Sequence, residues 1–129
     1  MLNVLTGAVM SKRVLICDDS LLMRRMVAET LKDAGWEVAG EASDGQQAID
    51  QFRATRPDAV TMDVVMPDYD GIYGLVGIRQ LDPEARVVMI SAVNQTKLIA
   101  EAIRKGAYDF IAKPFLPEHL QETMESCLS

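Results

Sequence analysis

The chain has 129 residues, 49% of them hydrophobic, with a formal net charge of −6 and two cysteines. That length and apolar content suit one globular unit with its own core, and the acidic balance argues against a phosphate-tracking nucleic-acid surface or an anionic membrane as the primary partner. Cys17 lies in an apolar run and Cys127 near the C-terminus, without a C-x-x-C motif, which excludes a disulfide framework or zinc site and points to a reducing, cytoplasmic setting.

The first ten residues, MLNVLTGAVM, are mildly apolar, but Lys12 and Arg13 follow the stretch, where a signal peptide would carry its charges ahead of it. Residues 1–10 are expected to be a disordered extension, with Met10 an alternative start, and residues 11–129 the folded domain. No stretch approaches the ~20 apolar residues of a membrane span. Beyond this point short apolar runs alternate with amphipathic stretches, the pattern of strand-helix units around a parallel sheet. Strands are predicted near 13–17, 36–42, 58–63, 86–91 and 108–112. The runs at 14–17, 59–62 and 87–90 are continuously apolar, as in strands covered on both faces, whereas WEVAGEA is patchier and suits a sheet edge. The first helix follows a Ser20 cap, carries Met23, Met26, Val27, Thr30 and Leu31 at helical spacing as a core-facing stripe, and stops at Gly35. The second follows SDG, the third follows Gly71, the fourth spans about 94–105 and stops at Gly106, and the fifth spans about 117–128. Because the chain closes on that helix, no attached second domain is expected.

The predicted fold is a doubly wound, flavodoxin-like five-stranded parallel sheet of order 2-1-3-4-5, in which ligands bind outside the carboxyl ends of the strands. Those ends carry Asp18 and Asp19 after the first strand, Asp63 at the third, Ser91 at the fourth and Lys113 just past the fifth. The first and third strands are neighbours, about 4.8 Å apart, so the three carboxylates share one site. Such a site suits Mg²⁺, a hard cation that takes oxygen ligands and keeps waters that a phosphate oxygen can replace. Lys113 is long enough to reach Asp63 across two strand spacings, and Ser91 adds a hydroxyl one strand away. A metal, a cation and a hydroxyl around one carboxylate make a phosphoryl-transfer constellation, with Asp63 as nucleophile. Singly, each residue has a duller reading as a helix cap, a turn residue before Pro67 or a solvated charge. The set, one at each strand end, carries the argument.

The segments VLICDDS, TMDVVMPDYDG, VVMISA and GAYDFIAKPF, in that order, resemble the response-regulator receiver domains, and the resemblance runs over residues 12–127. It implies Asp63 as phosphoacceptor, Asp18 and Asp19 as the acidic pair at the metal, and the Val65 carbonyl as a further Mg²⁺ ligand. It also implies Ser91 as the switch hydroxyl, Lys113 as the phosphoryl contact, Phe110 at the aromatic switch position and a cis Lys113–Pro114 bond. Phe110 departs from the Tyr common in the family, and Val65 and Val93 are apolar where many relatives are polar. The function implied is a two-component switch, not an enzyme beyond its own phosphoryl transfer and dephosphorylation. A histidine kinase or histidine phosphotransfer domain would donate the phosphoryl group. A downstream output protein would read the fourth helix, fifth strand and fifth helix. The start DDSLLMRRM looks most like stand-alone chemotaxis receivers, whose output would be a flagellar motor switch; a phosphorelay shuttle or a receiver cut from a larger regulator are the alternatives. His119, the sole histidine, is read as a solvated residue without a phosphodonor role. Two competing functions fail on single motifs. A haloacid-dehalogenase-like phosphohydrolase needs Asp-x-Asp where residues 63–65 read DVV, and DDSLLMRR would repel the phosphate of a flavin nucleotide.

Overall fold

Strands and helices alternate strictly through residues 12–129, the part of the chain that the computed structural model describes. In chain order they are β1 (Arg13–Cys17), α1 (Leu21–Asp33), β2 (Glu37–Ala42), α2 (Gly45–Thr55), β3 (Ala59–Asp63), α3 (Gly71–Leu81), β4 (Val87–Ala92), α4 (Thr96–Arg104), β5 (Asp109–Lys113) and α5 (Pro117–Cys127). All strand pairs are parallel and the order is β2-β1-β3-β4-β5, as expected, with the patchy β2 on an edge. The expected N-terminal extension lies outside the described residues.

Two-residue alternation explains the two cores. Leu15, Cys17, Val60, Met62, Val87 and Met89 face α2, α3 and α4, where they meet Phe52, Leu75 and Ala102. Val14, Ile16, Val88, Ile90 and Ile111 face the other way, onto Val27 and Leu31 of α1 and Leu120 and Met124 of α5. Side-chain oxygens of Ser20, Asp44 and Asp70 accept hydrogen bonds from the amides of Met23, Gln47 and Tyr73, capping α1, α2 and α3. Gly35, at φ 90°, takes the left-handed turn that follows α1.

Two expectations need correction. Met26 does not join the core stripe of α1: it is 48% exposed on the solvent flank, one residue out of phase with buried Val27 and Leu31. The fourth helix begins at Thr96 because residues 92–95 form a turn, closed by the Ala92 amide on Gln95 Oε1 at 2.9 Å and the Gln95 amide on the Ala92 carbonyl at 3.2 Å. The Lys113–Pro114 bond is cis.

The loop between β3 and α3 sits on glycine. A Cβ on Gly71 would lie 2.0 Å from the Asp63 carbonyl oxygen, and one on Gly45 would lie 2.3 Å from the Asp70 carbonyl oxygen. The amides of these glycines donate to the Val64 and Tyr69 carbonyls at 2.9 and 2.6 Å, so the loop is held backbone against backbone.

Candidate functional site

Register brings the acidic residues together. Cys17 pairs with Met62, so the next position along sets Asp18 beside Asp63 at the ends of β1 and β3. Asp18 follows Ile16 by two residues, Asp63 follows Thr61 and Lys113 follows Ile111, so all three project from one face of the sheet. Asp18 and Asp63 are buried, at 3% and 7% exposure, while Asp19 is exposed at the mouth. Carboxylate oxygens of Asp18, Asp19 and Asp63 lie within 4.8 Å of one another. Lys113 bridges two of them from β5, its Nζ lying 3.1 Å from Asp18 Oδ2 and 3.3 Å from Asp63 Oδ2.

Burial pushes the Asp63 carboxyl up to about 6; the Asp18 charge acts the same way, and the Lys113 ammonium and Val65 amide oppose both. Burial works against the Lys113 ammonium, but the charges of Asp63 and Asp18 outweigh it and hold Lys113 above its ordinary value. The set is therefore rich in negative charge, and hard oxygen donors with an exposed member at the opening fit a divalent cation such as Mg²⁺.

Around the cluster, the Ser20 amide donates to Asp18 Oδ1 at 2.8 Å and the Asp18 amide to the Ala42 carbonyl at 3.0 Å. Arg24 is the residue that sequence reasoning missed. No basic residue adjoins the acidic pair in the chain, but the first turn of α1 returns Arg24 to it, with Nη1 donating to the Asp18 carbonyl at 2.7 Å and Nε to Glu41 Oε1 at 2.9 Å. A cation in a helix N-terminal turn, where the dipole disfavours it, was the available signal.

Ser91 is buried on β4, one step past the Asp63–Ile90 pair, and pairs with Ala112. Phe110 pairs with Met89 and so shares the α4 face with Ser91, away from the acidic cluster. Phe110 is 43% exposed, beside a cavity of about 220 Å³ lined by Ser91, Val93, Ile99, Phe110 and Ala112. Val65 is half exposed and His119 exposed on α5.

Fold and edge together define a class: doubly wound α/β signalling domains with an acidic, lysine-bridged crevice at the carboxyl ends of the central strands. The chain belongs to the response regulator receiver domain family, whose profile matches residues 14–125. Receiver domains are the phosphorylation-activated switches of two-component systems and not conventional enzymes. The chain is 44% identical over 115 residues to the chemotaxis protein CheY of Thermotoga maritima, covering 89% of this chain and 96% of that protein. It is 42% identical over 120 residues to CheY of Bacillus subtilis, covering 93% and 100%. Among solved structures, a chain of the CheX-CheY-BeF3-Mg complex from Borrelia burgdorferi superposes with a TM-score of 0.88 at 32% identity, covering 99% of this chain and 96% of that one. The receiver domain of NtrX from Brucella abortus gives 0.84 at 36% identity, covering 89% and 97%. Among the described residues no helix is long and apolar enough to cross a membrane.

Proposed function

We propose that this chain is a chemotaxis-type receiver whose phosphoacceptor is Asp63. One observation carries the reading: a buried carboxylate ends the central strand with a lysine ammonium 3.3 Å away and two further carboxylates within 4.8 Å. A carboxylate oxygen of Asp63 attacks the phosphorus of a phosphohistidine on a histidine kinase or phosphotransfer domain. An O–P bond forms as the N–P bond breaks, and the departing imidazole takes up a proton. Asp18, Asp19 and Asp63, with the Val65 carbonyl, would hold Mg²⁺, which supplies neutralising charge for the phosphoryl oxygens.

Lys113 then turns from Asp18 to the phosphoryl group, and the Ser91 hydroxyl donates to another of its oxygens. Movement of Ser91 frees the cavity beside it for the Phe110 ring, which changes the surface formed by α4, β5 and α5. That surface is read by a downstream output protein. Likeness to CheY proteins over nearly their whole length supports a flagellar motor switch as the output. Hydrolysis of the aspartyl phosphate at the same site resets the switch, and the two buried free thiols suit the cytoplasm.

Incubation with acetyl phosphate and Mg²⁺, followed by intact-mass spectrometry, tests the acceptor. The wild type should gain one phosphoryl group and Asp63→Asn none. Undiminished labelling of Asp63→Asn would move the acceptor elsewhere. Retention of the beryllofluoride-loaded chain on a phosphotransfer domain, and not on a flagellar motor switch protein, would replace chemotaxis output by a relay role.

A further inference from the structure

We propose that Arg24 is a positioning residue for the metal site: its two-armed guanidinium fixes the main chain between Asp18 and Asp19 so that the Asp19 carboxylate faces the cation. This rests on the acidic cluster being the Mg²⁺ site. Arg24 stands in the first turn of α1, where the helix dipole opposes a positive charge, and yet its side chain is only 17% exposed. Both arms are committed, Nη1 to the Asp18 carbonyl at 2.7 Å and Nε to Glu41 Oε1 at 2.9 Å.

The three carboxylates are held differently. Both oxygens of Asp18 have partners, the Ser20 amide on Oδ1 and Lys113 Nζ on Oδ2. Lys113 also fixes Asp63. Among the described residues no donor is bonded to the Asp19 carboxylate, so its direction follows from its main chain. The start of that main chain is pinned twice, by the Asp18 amide on the Ala42 carbonyl of β2 and by Arg24 on the Asp18 carbonyl. Glu41 also belongs to β2, so the edge strand supports the metal site from two points. It balances the guanidinium charge as well, so that a cation can stand beside a metal site with little net repulsion.

A bystander cation and a positioning cation make opposite predictions. Removing a bystander charge would tighten Mg²⁺ binding, whereas removing the positioning group weakens it. Amide chemical shifts of the full chain, followed through a Mg²⁺ titration without any phosphodonor, read the affinity directly. Arg24→Gln should weaken binding by roughly tenfold, the lower end of what outer-sphere partners of metal ligands contribute. Arg24→Lys keeps the charge but loses the planar fork, and should also weaken binding. Affinity equal to or tighter than wild type in Arg24→Gln overturns the proposal, and so does unchanged affinity in Arg24→Lys, which decides alone if the glutamine variant does not fold. A wild type whose Asp19, Asp63 and Val65 amides ignore Mg²⁺ is a separate result, one that removes the metal site itself.

Discussion

Asp63 carries a burden that its neighbours only partly relieve. Its folded-state pKa of about 6 stands above the ordinary 3.8, so between these values the folded chain binds more protons than the unfolded one. Stability therefore falls as pH rises through that window, and above it the ionised Asp63 costs on the order of 1–3 kcal/mol. In Mg²⁺-free buffer, urea denaturation should find Asp63→Asn more stable than wild type at pH 8, with the gap closing below about pH 4. Equal stability at pH 8 would show that Lys113 already compensates the charge in full. At this scale the acidic residues and Lys113 were legible because each occupies a strand end in a fold whose binding edge is known. Arg24 was not, because its site partner is a main-chain carbonyl that leaves no trace in the residue types, and its unfavourable place in a helix N-terminal turn hints at a role without naming the partner.

At the level of elements, the apolar runs placed every strand within a residue of its position, and residues with special backbone roles placed the turns. α4 was over-extended because the Ala92–Gln95 turn depends on a side-chain amide bond that apolar periodicity does not encode. Two glycines of α3 make a sharper comparison. Gly71 would drive a Cβ to 2.0 Å from the Asp63 carbonyl oxygen, a backbone atom with nowhere to go, whereas Gly77 would meet Ile49 Cδ1 at 2.2 Å, the tip of a flexible side chain. Gly71→Ala should cost about 3 kcal/mol or more in urea denaturation and depress acetyl phosphate labelling of the remaining folded protein. Gly77→Ala should cost about 1–2 kcal/mol and leave labelling at the wild-type rate. Matched labelling losses in the two variants would mean that α3 packing, and not the seat beneath Asp63, controls the chemistry.

Across the whole molecule, the acidic cluster and the Ser91–Phe110 pair lie on opposite pleats. Asp63 and Lys113 project with Ile111 and Ile16, whereas Ser91 and Phe110 project with Met89 toward α4. Under the proposed function a signal must cross the sheet, and Ser91, buried at the end of β4, is the residue we propose to carry it. Side-chain NMR with beryllofluoride and Mg²⁺ should show the Phe110 ring moving to a buried environment in wild type, and Ser91→Ala should blunt that change while leaving Asp63 able to accept a phosphoryl group. An unchanged ring response in Ser91→Ala would assign the crossing to another route. The topology was legible from alternating apolar runs; which face Ser91 and Phe110 take was not, since that needs the strand ends to the residue. The glycine seat beneath Asp63 has a consequence for how such a domain can diversify. With the Asp63 main chain locked against α3 and α2, sequence drift has little freedom to alter the geometry at that carboxylate. Half-exposed Val65 and exposed Val93 are free of that lock, so under the proposed function the surroundings of the site can be varied by surface substitution while Asp63 stays where it is.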